Sequence, residues 1–465
     1  MAGSRKSPRS NTLIARVTAI LRQHVKRGDR LVAGLSGGVD SVVLLDLLLR
    51  ASKKLRFELA ALHVNHQINP AAGRWAAFCR AFCRQRGVAF TTVRVKVPRG
   101  ESLEAAARDA RYRAFAALPA DYVALAHNLD DQAETVLLQL LRGAGVKGLS
   151  AMPIVKEQKG GRRADESRLT PHPSRLTPAI LRPLLDIPRS GIEAYARCRK
   201  LEWIEDESNA DVSYGRNFLR HRVLPVIAEH YPAYRRTLAR ASRNLAEAAQ
   251  MLDDLAAADA QLTADGLEIS GLRRLSASRA KNVIRHFLGL HGVTMPNAAR
   301  LDEGVRQLQS PRAMRATIDL GEHVLRRHAN ELRVVAKTPS LPGSYCHEWH
   351  GESRLRLPEL GGTLRLKKCR GSGVSLARLA GAPVTVRLRQ GGERLQVDSQ
   401  RPRRSLKNLL QESRIPPWER ARLPLLFCGD ELVWAAGIGV GYRFQAKPGE
   451  ESVQALWLPS DDAKR

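Results

Sequence analysis

The stretch Leu31-Val32-Ala33-Gly34-Leu35-Ser36-Gly37-Gly38-Val39-Asp40-Ser41 decides how the first half of this chain folds. An apolar run enters a glycine-rich turn, and an apolar helical pattern over 39–50 follows at once. Glycines in such a turn let a ligand approach the backbone, because no Cβ stands in the way. Free amides at a helix start point at an anion, and the helix dipole favours it. Ser36 and Ser41 add hydroxyl donors. The segment lacks the G-K-[ST] ending of a nucleoside-triphosphatase loop, whose lysine holds the β and γ phosphates for γ transfer. Without that lysine the turn suits pyrophosphate as a leaving group. Asp40, an acid beside phosphate, makes chemical sense with Mg²⁺ between the two.

Working outward, short apolar runs at 31–35, 59–64, 91–95 and 122–126 alternate with helical patterns at 39–50, 74–86, 103–117 and 132–141. That alternation predicts an α/β fold with a doubly wound parallel sheet, in which ligands sit at the carboxyl ends of the strands, at a switch in strand order. The segment after the fourth run is His127-Asn128-Leu129-Asp130-Asp131-Gln132-Ala133-Glu134-Thr135. Asp131 and Glu134 have the spacing of a helix-capping pair. Capping needs one acid, though, and Asp130, Asp131 and Glu134 cluster with His127. Carboxylates at that edge bind Mg²⁺ or hold the ammonium of an amine substrate. His63-Val64-Asn65-His66 ends the second run, where a base or ribose would lie, so His63, Val64 and His127 are expected at the nucleotide. On the helix at 103–117, Arg111 is expected to support charge on phosphate oxygens during adenylyl transfer.

The rest of the chain divides by composition. Residues 1–28 form a basic extension and a leading helix, and 29–230 the nucleotide-binding domain. Residues 156–179, with Ser-Arg-Leu-Thr-Pro at both 167–171 and 174–178, read as a disordered insertion. A helical domain is expected over 231–337, with Arg235, Arg236, Arg240 and Arg243 on neighbouring turns, as a solvated face or an RNA-facing one. Glycine- and proline-punctuated β-like runs over 338–456 predict a small α+β C-terminal part. Lys and Arg exceed Asp and Glu by 76 to 46, a net charge of +30 that draws a polyanion such as nucleic acid. The 6 cysteines are too few and scattered for a disulfide framework or a metal cluster, and read as reduced, packed thiols of a cytoplasmic protein. No apolar run is long enough to span a membrane.

The Ser36–Ser41 turn resembles the signature of the PP-loop (N-type) ATP pyrophosphatases, which adenylylate an oxygen and let a nucleophile displace AMP. The 63–66 and 127–135 segments, Leu141-Arg-Gly-Ala-Gly-Val-Lys-Gly-Leu149, Leu181-Arg-Pro-Leu-Leu185, Asp206-Glu-Ser-Asn209, Arg216-Asn217 with Arg220, and the stretch 405–441 are similar to the tRNA(Ile)-lysidine synthetase family. The resemblance covers most of the chain; the 156–179 loop departs from it, and 340–380 match loosely. It implies that ATP adenylylates the wobble cytidine in the CAU anticodon of tRNA(Ile), and that L-lysine then displaces AMP. It further implies that Asp40, with Asp131, would hold Mg²⁺, and that Asp130, Asp131 and Glu134 would bind or deprotonate the lysine amine. The rival within the superfamily is a tRNA thiolase, which needs a reactive cysteine by the site. The sequence leaves the oligomeric state open, a homodimer included.

Overall fold

The protein is described by a computed structural model over residues 8–67, 69–97, 103–157, 177–206, 211–263, 266–310, 317–337, 341 and 345–459. It divides into two compact units at Leu252/Asp253. Most of the expected insertion, residues 158–176, lies outside the described residues, as do 207–209 of the 206–209 motif.

The first unit runs α1 (Pro8–His24), β1 (Arg30–Gly34), α2 (Val39–Leu55), β2 (Glu58–Asn65), α3 (Ala72–Arg84), β3 (Ala89–Arg94), α4 (Leu103–Ala116), β4 (Tyr122–Ala124), α5 (Leu129–Leu141), α6 (Val146–Leu149), β5 (Val155–Lys156), β6 (Ala179–Leu181), α7 (Arg189–Cys198), α8 (Gly215–Phe218), α9 (Leu224–His230) and α10, which begins at Tyr234 and ends at Asp259. The sheet order is β3-β2-β1-β4-β6-β5. All neighbours pair in parallel except β5, which closes the edge antiparallel to β6. Strand order therefore reverses between β1 and β4, and the segments that follow these two strands open into one crevice.

The period of two along each strand distributes the apolar residues to two layers. Leu31, Ala33, Tyr122, Ala124, Ala179 and Leu181 join one core with α1, α2, α3 and α7, whereas Val32, Val123 and Ile180 lie with Phe115 of α4 in the other. Helix α2 is apolar nearly all round because it is enclosed: Leu44, Leu45, Leu47 and Leu48 are each fully buried. Each contributes roughly 1.5–3 kcal/mol relative to exposure. That burial fixes the helix whose first turn builds the ligand loop.

The second unit begins with helices Ile269–Arg274, Ala277–Leu290 and Ala298–Gln309, packed around Phe287, Leu308 and Leu332 with a four-stranded sheet of Thr317–Asp319, His323–His328, Glu331–Ala336 and Leu267–Glu268. Residues 345–459 then form a five-stranded and a four-stranded sheet around one core, with a small two-stranded one beside them. The expected helical part is thus mixed, and the C-terminal part is antiparallel β with short helices. Among the described residues, no helix is long and apolar enough to cross a membrane.

Candidate active site at the switch point

The turn after β1 is held open by its own hydroxyls. Ser41 Oγ accepts the Ser36 and Gly37 backbone N–H groups at 3.2 Å each and donates to the Gly38 carbonyl at 2.9 Å. Ser36 Oγ lies 3.1 Å from Ser41 Oγ and accepts the Gly38 N–H at 3.3 Å. Gly37 has φ +95°, and a Cβ there would stand 3.0 Å from Ile204 Cδ1, so conformation and packing both demand glycine. Ile204, on the chain passing over the loop, donates its N–H to the Gly37 carbonyl at 2.9 Å. At Gly38 a Cβ would meet only Ser36 Oγ, at 3.6 Å, so the open side of the loop lies there. Val39 begins α2, and its first turn supplies the anion-binding helix end.

Asp40 sits in that turn. Its Oδ1 accepts a hydrogen bond from Asn128 Nδ2 at 3.1 Å, which ties the β1 loop to the β4 loop. Burial, opposed by nearby Arg189 and reinforced by Asp131, pushes its carboxyl up to about 6. Asn128 also caps α5, accepting the Asp130 and Asp131 N–H groups, while Asp131 Oδ2 returns a bond to the Asn128 N–H at 2.9 Å. The capping box therefore runs from Asn128 to Asp131, one turn earlier than the spacing of Asp131 and Glu134 implied.

The three acids expected to face an amine each carry arginine partners. Glu134, with a side chain 1% exposed, is bridged by Arg216 Nε at 2.7 Å and Arg220 Nε at 2.6 Å. Asp131 Oδ1 takes Arg216 at 3.0 Å and Arg220 at 3.4 Å. Asp130 pairs with Arg235 through Oδ1 and accepts the Arg189 N–H through Oδ2 at 2.9 Å. Arg235 is therefore turned inward rather than lying on a solvated or RNA-facing stripe, while Arg236, Arg240 and Arg243 are exposed. Arg220 lies on a π-helical turn, Leu219–Val223, between α8 and α9. Pro225 cannot give an N–H to the carbonyl of His221, and the helix widens there. Asp40 alone of the four acids makes no ion pair among the described residues.

Two histidines face the crevice in opposite tautomers. His63, 4% exposed, has Nδ1 2.9 Å from the Leu35 carbonyl, which only accepts; the proton is on Nδ1, and Nε2 is an acceptor. His127 Nδ1 accepts from Arg182 Nε at 3.2 Å, so its proton is on Nε2. Burial, then the cations Arg182, Arg216, Arg111 and Arg108, hold His127 well below the usual imidazole range. His63 is lowered chiefly by burial, and His66 by burial and then Arg111. Arg111 thus lies within electrostatic reach of both His66 and His127. Arg182, 2% exposed, from the 181–185 segment, has no role predicted from sequence: it donates to the Pro153 carbonyl at 2.8 Å and to Tyr112.

Cys79 lies beneath the loop, its Sγ 3.8 Å from His63 Nδ1. It is fully buried, and burial pushes its thiol up to about 12 and that of Cys83 to about 11. A cysteine is therefore close to the site, as the reduced, packed thiol expected from the sequence rather than a thiolate nucleophile. Among the described residues no group of three or more His, Cys, Asp or Glu side chains is arranged to hold a metal.

A lysine-free glycine turn opening a helix, faced across the switch point by an acid- and arginine-rich helix start, defines a PP-loop ATP-binding domain, and the family model described as a PP-loop domain matches residues 10–227. Models for the TilS substrate binding domain and the TilS substrate C-terminal domain match 267–333 and 384–457. The chain is 46% identical over 448 residues to a protein of Nitrosomonas europaea named tRNA(Ile)-lysidine synthase, covering 95% of this chain and 94% of that one. A namesake from Azoarcus sp. is 42% identical, covering 94% and 93%. The chain belongs to the tRNA(Ile)-lysidine synthase family. Among solved structures, a U34-tRNA thiolase of Methanococcus maripaludis is similar over 52% of this chain and 81% of its own at 20% identity and a TM-score of 0.43.

Proposed function

We propose that this chain joins L-lysine to C2 of the wobble cytidine in the CAU anticodon of tRNA(Ile), consuming ATP, in the cytoplasm where both substrates are found. The near-full-length identity to proteins of that name is the observation that carries the reading. In the first step the cytosine O2 attacks the α-phosphorus and pyrophosphate leaves. In the second, the lysine side-chain amine attacks C2, the C2–O bond breaks, AMP departs, and the amine gives up a proton.

The residues divide the work by their surroundings. The loop Ser36–Ser41 receives the departing pyrophosphate at the open side of Gly38 and the α2 end, where the amides need no reorganisation. Asp40 is the acid free of ion pairs, at the crevice end of α2. A lone carboxylate supplemented by phosphate oxygens is the donor set Mg²⁺ accepts, so Asp40 fits the metal and would hold it. Asp131, whose two oxygens are both engaged, would join only by releasing an arginine. Bound there, Mg²⁺ would offset the phosphate charge. The His127 Nε2–H donates toward the nucleotide, and the acceptor Nε2 of His63 and the Val64 strand end line the base side. Arg111 and Arg182 place positive charge where the α-phosphate gains negative charge.

Asp130 and Asp131, with side chains 18% and 16% exposed, can be reached by an incoming ammonium that takes the place of an arginine, whereas enclosed Glu134 cannot. Glu134 therefore holds Arg216 and Arg220 in place, and Asp130 or Asp131 takes the amine and draws off its proton. The test is pyrophosphate release from ATP and Mg²⁺ with tRNA and lysine omitted in turn. Release that requires CAU-anticodon tRNA, followed by lysine joined to it, upholds the reading. Release that follows a sulfur donor instead would move the chain to the thiolases.

A further inference from the structure

The helix that supplies Arg216 to the buried acids also has an outward side. Helix α8 turns Arg216 inward to Glu134 and Asp131, and Arg220 on the next turn does the same. Tyr214 and Phe218 stand four residues apart, joined by the Phe218 N–H to the Tyr214 carbonyl at 2.9 Å, and so share one face. Phe218, two residues on from Arg216 in α8, lies about 160° round the helix from it, and Tyr214 sits at the N-cap one turn before Phe218. It is open to water: Tyr214 is 41% and Phe218 48% exposed. Neither ring has a ring partner among the described residues, although aromatics of this size ordinarily bury most of their area. Arg222, four residues further on, is exposed beside them, and exposed Arg236 and Arg240 follow on α10.

An open pair of aromatic faces flanked by cations matches a single-stranded nucleic acid, whose unstacked bases stack on rings while its phosphates meet arginine. Exposed Val212 and Val226 flank the pair in sequence, but exposed His221 and Arg222 fall between Phe218 and Val226, and that alternation of apolar and basic residues fits an RNA better than the continuous apolar patch of a protein contact. A helix width, about 10 Å, separates this face from the acids that α8 grips. We propose that Tyr214 and Phe218 form a stacking platform for an unpaired anticodon-loop base adjacent to the one that enters the site, with Arg222 on its phosphate. The proposal rests on the tRNA reading above. On it, α8 does two things: its inner face orders the catalytic acids, and its outer face holds the RNA so that a single base is presented.

The test is equilibrium binding of a CAU anticodon stem-loop to the full-length protein without ATP or lysine, with 2-aminopurine replacing the adenine of the anticodon. Wild type is expected to bind and quench the probe. Phe218→Ala and Tyr214→Ala each weaken binding roughly tenfold to a hundredfold and restore the fluorescence. Phe218→Trp keeps affinity and quenching; Phe218→Leu, of similar size but without a π face, does not. The slope of log affinity against log salt stays unchanged in the ring variants and falls by about one in Arg222→Ala. If wild type binds and quenches but Phe218→Ala does so equally, the platform is wrong and the tRNA reading survives. If wild type binds no stem-loop, both fall. A change of oligomeric mass in Phe218→Ala with RNA affinity intact would make the face a contact between copies and overturn the proposal.

Discussion

Asp40→Asn should make the ligand-free protein more stable while abolishing its turnover. The carboxyl of Asp40 is pushed up to about 6, against an ordinary 3.8, mostly by burial. At 1.36 kcal/mol per pH unit, holding it ionised costs the folded state roughly 3 kcal/mol well above pH 6. The sign follows from the raised value. The penalty is absent below about 4, grows as pH rises, and is complete above about 6. At pH 5 it is about half its full size. Asparagine removes the charge and keeps an oxygen for Asn128 Nδ2, but its own amide hydrogens lack a partner there, offsetting about 1 kcal/mol. The net gain is then about 2 kcal/mol at pH 8 and about 0.5 kcal/mol at pH 5. For a unit of this size that raises the melting temperature of the first unit by roughly 4–8 °C at pH 8. Calorimetry of both proteins at pH 5 and pH 8, with EDTA and no nucleotide, measures it. An Asn variant less stable than wild type at pH 8, or equally altered at both pH values, would refute the reasoning and leave Asp40 an ordinary surface acid.

Glu134→Ala strands Arg216 and Arg220 and should cost about 3–5 kcal/mol, read by denaturant unfolding, with Glu134→Gln losing less. Gly37→Ala forces a side chain to φ +95° and into Ile204. It should cost about 1–3 kcal/mol and weaken ATP binding in calorimetric titration, while Gly38→Ala, with open space, perturbs the fold little. Arg182→Lys keeps a charge but loses the fork that reaches His127 and the Pro153 carbonyl together, and should lower kcat for pyrophosphate release at least tenfold. Alkylation by iodoacetamide at pH 8 should spare Cys79 and Cys83 in the native protein, and rapid labelling of either would contradict their buried, raised thiols.

Much of this architecture is legible in the sequence where local pattern and tertiary demand agree. The parallel strands β1 to β4 and helices α2 to α5 fall within a few residues of their apolar periods, because each is bounded by a turn signal and buries a continuous apolar set. The extension of α2 to Leu55 was not visible, since Ser52, Lys53 and Lys54 carry no apolar signal and the helix ends only where Arg56 turns left-handed. Strands β5 and β6 are two and three residues long, too short for any period. At the site, the loop and the acid cluster could be found from residue type and spacing. Their partners could not: Arg216, Arg220 and Arg235 lie 82 or more residues from the acids they neutralise, and local sequence carries no trace of such a pairing. Asn128 does carry a local signal, being a favoured capping residue directly before the helix. The carboxylates are legible as a cluster, whereas the cations folded against them, which leave Glu134 the most enclosed of the three, are not.

The central claim, that this chain makes lysidine, is tested most directly by incubating it with ATP, Mg²⁺, isotopically heavy lysine and a CAU-anticodon tRNA(Ile) transcript, then weighing the nucleosides of the digested RNA. The account predicts one cytidine per tRNA heavier by lysine less water, absent when the wobble cytidine is changed to uridine and absent with Asp40→Asn. Heavy lysine found nowhere in the RNA, or found equally with the uridine transcript, would contradict it.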